Sequence, residues 1–187
     1  MPGKKEDLLK AAVRGAVVKE LVGTAVEQAK AAEEAKKVVR VVCGSDHAGT
    51  ELKLTLMQHL TEKGFACEDV GNYDPNDRDD DYPVYGEKVA RMVAAGEADF
   101  GLLVCGTGLG ISLAANKVKG IRACVCSEPY TARMSRAHNN CNILCMGARV
   151  VGRELAKMIT DEFFMTAFEG GRHQRRVDMI RAIEEQP

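Results

Sequence analysis

The stretch Phe100-Gly-Leu-Leu-Val-Cys-Gly-Thr-Gly-Leu-Gly-Ile-Ser112 joins an apolar run to a helix-like segment through glycines at alternate positions. Leu102, Leu103 and Val104 read as a strand buried on both faces, as parallel strands are, and Ile111 to Ala115 reads as a helix start. In the turn between them Gly106, Gly108 and Gly110 let backbone N–H groups approach a ligand closely, and the helix start adds partial positive charge. Cys105 ends the strand and faces this loop. Such a place suits a phosphate, a carboxylate or an enediolate. The dinucleotide fingerprint G-x-G-x-x-G is not met, because the sixth position from Gly106 is Ile111, and no Lys-Ser or Lys-Thr completes a phosphate loop. Glu128 stands where a ribose-binding acid would follow such a fingerprint, but without the fingerprint it carries no role. On these residues alone a structural strand-to-helix turn and an anion site are equally supported.

Outward from this stretch, short apolar runs alternate with amphipathic segments of helical length from Val38 onward, the pattern of βαβ units. Strands are expected near 38–43, 66–70, 100–105, 122–126 and 142–146, and helices near 51–63, 84–95, 111–117, 129–137, 154–168 and 174–184. Ser127 is the expected cap for the helix opening at Pro129. The fold class is α/β, a three-layer Rossmann-like arrangement around a five-stranded parallel sheet over residues 38–187. Right-handed crossovers bring every strand's carboxyl end to one edge. Ser45-Asp46-His47, Cys105 with its loop, and Gly147-Ala-Arg149 gather there. Residues 1–37, rich in Ala, Val, Lys and Glu without an aromatic, read as a helical N-terminal extension. Leu9, Val13, Ala16 and Val17 recur at helical spacing, Gly23 interrupts, and Thr24 with Glu27 forms a capping box.

A chain of 187 residues with 45% hydrophobic content can bury a full core, and a net charge of −1 gives no general affinity for nucleic acid or membranes. A basic cluster is therefore read as a site. Seven cysteines, an odd number falling largely within apolar runs, suit a reducing compartment. Cys124, Cys126, Cys141 and Cys145 are expected to be buried thiols, since no C-x-x-C or ligand-spaced histidine pair accompanies them. No apolar segment is long enough to cross a bilayer, and Glu6, Asp7, Glu20 and Glu27 argue against a transit peptide, so the cytoplasm is the expected location. The acidic run 74–83 lacks the glycine and terminal glutamate of a calcium loop and reads as a solvated turn.

Arg172 and Arg176 stand four apart at the start of the last helix, behind Gly170-Gly171, and share one face. Two guanidiniums so placed suit phosphate oxygens, and Arg149 could add a third. An exposed basic helix end is the equally supported alternative.

These residues together resemble the ribose-5-phosphate isomerase B group, which also contains hexose-phosphate isomerases acting on allose or galactose 6-phosphate. The resemblance runs from Val38 to about Glu185. It rests on Gly-Ser-Asp-His-Ala-Gly at 44–49, Asp-Tyr-Pro at 81–83, Cys-Gly-Thr-Gly-Leu-Gly-Ile-Ser at 105–112 and Ala-Ala-Asn-Lys at 114–117. Cys-Ser-Glu-Pro-Tyr at 126–130, Arg-Ala-His-Asn at 136–139, Gly-Ala-Arg-Val-Val-Gly at 147–152 and Glu-Gly-Gly-Arg-His-Gln-Arg-Arg at 169–176 complete it. The N-terminal extension lies outside it.

The resemblance implies a cofactor-free, metal-free aldose–ketose isomerase that interconverts ribose 5-phosphate and ribulose 5-phosphate through a cis-enediolate. It implies that Cys105 is the base moving a proton between C2 and C1. Some members use a glutamate from the following helix instead, but that helix here carries Ser112 and Leu113, so the chain is similar to the cysteine type. Amides at the helix start favour a thiolate at Cys105, and the loop Gly106, Thr107, Gly108, Leu109 and Gly110 would stabilise the enediolate. By the same resemblance His138 opens the furanose ring, a task that suits an imidazole, and Asn139 bonds the sugar. Asp46 contacts sugar hydroxyls, His47, Arg149, Arg172 and Arg176 contact phosphate, and Tyr82 packs on the substrate. His173 has no assigned role, and His59 is expected to be structural. The family's site lies between two subunits, which implies a homodimer or tetramer with His138, Asn139 and Arg149 supplied by the partner of the chain bearing Cys105. A hexose 6-phosphate isomerase and a non-catalytic nucleotide- or sugar-phosphate-binding module are the alternatives.

Overall fold

The computed structural model describes residues 38–77 and 79–185, with Val22 alone from the N-terminal stretch. The remaining expectations for residues 1–37, the capping box included, lie outside the described residues. Its elements are β1 (Arg40–Ser45), a 3-10 turn (His47–Gly49), α1 (Thr50–Glu62), β2 (Ala66–Asp69), α2 (Tyr82–Ala94) and β3 (Phe100–Cys105). They continue as α3 (Leu109–Ala115), β4 (Ala123–Val125), α4 (Pro129–Asn139), β5 (Ile143–Gly147), α5 (Arg153–Phe164) and α6 (Arg172–Ile183).

The five strands lie in the order β2-β1-β3-β5-β4, and every pairing is parallel. An order that departs from β1 to β2 on one side and to β3 on the other makes a topological switch point between β1 and β3. In β3, Leu102, Leu103 and Val104 are fully buried, because helices cover both sheet faces. Leu52, Leu56, Ala132, Ile159 and Phe163 pack on one face, and Val89, Ala90 and Ile111 on the other. Each of the larger side chains among them contributes about 1.5–3 kcal/mol relative to exposure.

Local signals set the helix ends. The Glu128 carboxylate accepts from the amides of Tyr130 (2.6 Å) and Thr131 (2.7 Å), so the cap of α4 is Glu128 and not Ser127 as expected. Helix α2 starts two residues before the expected Val84, because Pro83 is preorganised for a first turn. All seven cysteines are free thiols, and Cys124 and Cys126 stand with their sulfurs 3.7 Å apart on one strand face. His59 bonds Asp161 at 2.8 Å, a structural contact between α1 and α5. No described helix is long and apolar enough to cross a membrane.

One buried charge holds the loop after β2. Lys53 is fully buried, and its Nζ donates to Asp69 Oδ1 (2.6 Å) and to the Asn72 carbonyl (2.8 Å). Thr50 Oγ1 donates to Asn72 Oδ1 at 3.0 Å, which secures the same loop a second time. Removing one partner of a buried pair strands the other, so Lys53→Met is expected to cost about 3 kcal/mol. This sits at the low end of the range because Asp69 keeps 18% exposure. Urea denaturation at unchanged slope checks it, and a loss under about 0.5 kcal/mol contradicts the role.

Candidate active site

The carboxyl edge of the sheet carries the first group of residues. The register Ser45↔Val104 brings Asp46 beside Cys105 at the β1–β3 switch point. Cys105 is 4% exposed, and the Gly108 amide donates to its Sγ at 3.1 Å. That contact needs glycine at 108, where φ is +81° and a Cβ would stand 2.8 Å from the Met146 carbonyl carbon. Leu109 N donates to Thr107 Oγ1 at 3.4 Å, and both side chains face solvent. The Tyr82 ring lies flush on Gly110, since a Cβ there would come within 2.6 Å of it.

Arg149 N donates to the Gly106 carbonyl at 3.0 Å, and its guanidinium lies 3.3 Å from where a Gly106 Cβ would stand. Arg149 thus reaches the glycine loop of its own chain. The reason is topological: the turn after β5 leaves from the same sheet edge as the loop after β3.

Asp46 caps the 3-10 turn by accepting from Gly49 N at 3.1 Å. Burial pushes its carboxyl above the ordinary range, partly offset by the Gly49 amide and His47 and reinforced by the charge of Asp80. Asp80 belongs to the run 74–83 that the sequence marks as a solvated turn, but its side chain turns inward instead. Its carboxylate, 4% exposed, accepts from His47 N at 2.8 Å and lies 2.6 Å from His47 Nδ1. His47 also lines a cavity of about 370 Å³ with Ala48, Ala148 and Gly152.

The second group sits elsewhere. His138 and Asn139 end α4, and the chain turns through Asn140 in the left-handed region (φ 49°) before entering β5 at Ile143, on the amino edge of the sheet. Arg136 fixes this end by donating to the Cys141 carbonyl (2.5 Å) and lying 4.6 Å over the ring of Phe100, the first residue of β3. The Glu169 amide bonds the Ala137 carbonyl at 3.0 Å, which brings the start of α6 alongside. His173 stacks parallel on His138, with centroids 4.2 Å apart, and Arg172 Nε donates to His173 Nε2 at 3.3 Å. Arg172 and Arg176 are exposed beside this pair. Burial, with His138 and Arg172 nearby, pushes the His173 imidazole below its ordinary range. His138, Glu169 and His173 place ligand-type atoms within 4.8 Å of one another. Arg172 already occupies the His173 Nε2 lone pair, however, and the arginines add positive charge, an arrangement less suited to a cation.

The strands of one sheet cannot join the two groups. The five residue steps from Phe100 to Cys105 span about 16 Å, so Cys105 and the His138 cluster stand at opposite edges.

Residues 41–180 match the family model described as Ribose/Galactose Isomerase. The chain belongs to this family. Among its ribose/galactose isomerase relatives is the ribose-5-phosphate isomerase B of Escherichia coli (strain K12), 53% identical over 146 residues that cover 78% of this chain and 97% of the relative. The solved ribose-5-phosphate isomerase B of Clostridium thermocellum superposes with a TM-score of 0.76 at 49% identity, covering 79% of this chain and 98% of that one. The Mycoplasma genitalium enzyme, solved with bound ribulose-5-phosphate, superposes at 0.75 with 42% identity, over 80% and 98% of the two chains.

The raised Asp46 carboxyl has a consequence for stability. A folded-state value above the unfolded one means that burial disfavours the ionised form, so this contribution is present at low pH and lost as pH rises through the folded value. Asp46→Asn is therefore expected to melt at or above the temperature of the parent at pH 7, with the difference closing near pH 4. Thermal unfolding at both pH values checks this, and a variant less stable only at pH 7 contradicts it.

Proposed function

We propose that the chain is an aldose–ketose isomerase that interconverts ribose 5-phosphate and ribulose 5-phosphate, with Cys105 as the base. The observation that carries the reading is the Gly108 amide directed at Cys105 Sγ, at the switch point of a chain in the ribose/galactose isomerase family. The amide holds the sulfur against the glycine loop, where it can act as the proton acceptor. On the open-chain aldose, Cys105 takes the C2 proton and returns it at C1, while the hydroxyl proton passes from O2 to O1. Charge builds on the enediolate oxygens between these events, and the loop amides not engaged by Cys105 or Thr107 meet it together with the Thr107 hydroxyl. Asp46, next to Cys105, holds sugar hydroxyls, and Tyr82 covers the substrate from above Gly110. The hydrogen moves as a proton, so side chains and amides suffice for the chemistry.

His138 moves the proton that opens the ring, Asn139 bonds the sugar, and Arg172 and Arg176 take the phosphate with His47 and Arg149. Separation of the two groups across one sheet supports a homodimer in which the carboxyl edge of one protomer faces the α4–α6 corner of its partner. Arg172 and Arg176 then arrive with the partner's His138, while Arg149 is native to the loop it touches.

Cys105→Ala is expected to lower kcat about 10³-fold with KM within a few-fold, measured by coupled assay on ribose 5-phosphate. Retained turnover contradicts the cysteine base, and turnover confined to galactose or allose 6-phosphate in the same assay contradicts the pentose reading.

A further inference from the structure

The acidic run 74–83 holds one carboxylate that does not behave as a turn residue. Asp74 and Asp77 accept from the amides of Asn76 and Asp79 and stay exposed. Asp80 instead turns inward, 4% exposed, with both oxygens committed to His47, a residue 33 positions away. Two residues later the chain enters α2 at Tyr82, whose ring lies on Gly110.

We infer that Asp80 is a positioning residue that fixes the ring of His47 for phosphate and anchors the approach of Tyr82 to the glycine loop. The inference rests on the assignment of His47 to the substrate phosphate made above. A carboxylate only accepts, so the Nδ1 of His47 carries the proton in this pair and Nε2 is left for a ligand. When Nε2 donates to a phosphate oxygen, the ring carries both protons and lies between two anions, which gives the charge-assisted bond that binds phosphate strongly. The backbone bond from His47 N holds the ring's own main chain to the same carboxylate, so orientation and protonation are set by one group. Among the described residues, the charges near this ring include Asp80 from the loop and Asp46 from its own turn, with Glu51 and Arg153 lining the same cavity as His47.

Asp80→Asn separates this role from a loop staple. The amide is isosteric and can still accept from His47 N, but its NH2 then faces Nδ1, which must give up its proton. Nitrogen-15 NMR of the His47 ring is expected to show Nδ1 protonated in the parent and unprotonated in the variant. The Kd for inorganic phosphate and the KM for ribose 5-phosphate are expected to rise together about tenfold, with kcat within about threefold. Asp80→Glu, which keeps the carboxylate, should recover part of the phosphate affinity. An unchanged ring tautomer, or an altered tautomer with unchanged phosphate affinity, overturns the inference. Both readings need no turnover, so they stand or fall separately from the identity of the sugar.

Discussion

In a parallel sheet every strand ends on one edge, and every helix that returns to start the next strand ends on the other. The rest of this structure depends on that constraint. It gives Cys105 to the carboxyl edge and His138, at the close of α4, to the amino edge. A reaction that needs both a base near C2 and a proton shuttle at the ring oxygen cannot be completed along one sheet. The carboxyl edge supplies sulfur, amides, Asp46, His47 and Arg149, and the α4–α6 corner supplies stacked imidazoles beside two guanidiniums. Each half lacks what the other holds. Isologous pairing of two copies would join them twice, producing two sites by one symmetry operation.

The carboxyl-edge half is assembled by close approaches that tolerate little substitution. Gly108 lets the loop turn tightly enough to aim an amide at sulfur, and Gly110 leaves room for the Tyr82 ring. Asp46 is kept next to Cys105 by strand register and is partly desolvated there. The cost of burying its charge is partly offset by the Gly49 amide that it caps. Lys53, by contrast, is a buried charge fully matched by Asp69 and a carbonyl, and its task is to shape the loop that leads toward Asp80 and Tyr82.

What could be read from the chain beforehand follows the range of the interaction. Strand β3 spans the residues expected of it, because burial on both faces leaves an unbroken apolar run between turn signals. The edge strand β4 is shorter than its apolar stretch suggested, since an edge has one neighbour to pair with. Glu128, to which the sequence assigns no role, closes the helix it precedes; a carboxylate taking two amides is a cap, although Ser127 is the more familiar capping residue. Asp80 was hidden for a different reason. Composition makes an acid-rich stretch look solvated, and nothing local marks the one member that folds back onto a histidine from β1's turn. The His138–His173 stack was equally unreadable, being a contact between two helices whose approach only the fold decides. Arg149 was visible as a site residue, but which copy's loop it serves required coordinates.

The central claim, that each site takes Cys105 from one chain and His138 from another, is tested most directly by complementation. Homodimers of Cys105→Ala and of His138→Asn are each expected to be inactive on ribose 5-phosphate. When the two variants are allowed to exchange subunits freely, half of the dimers are mixed, and each mixed dimer holds one intact site and one doubly altered site. The mixture is expected to recover about a quarter of the parent activity. A mixture that stays as inactive as its components would place both residues in one chain's site and contradict the account.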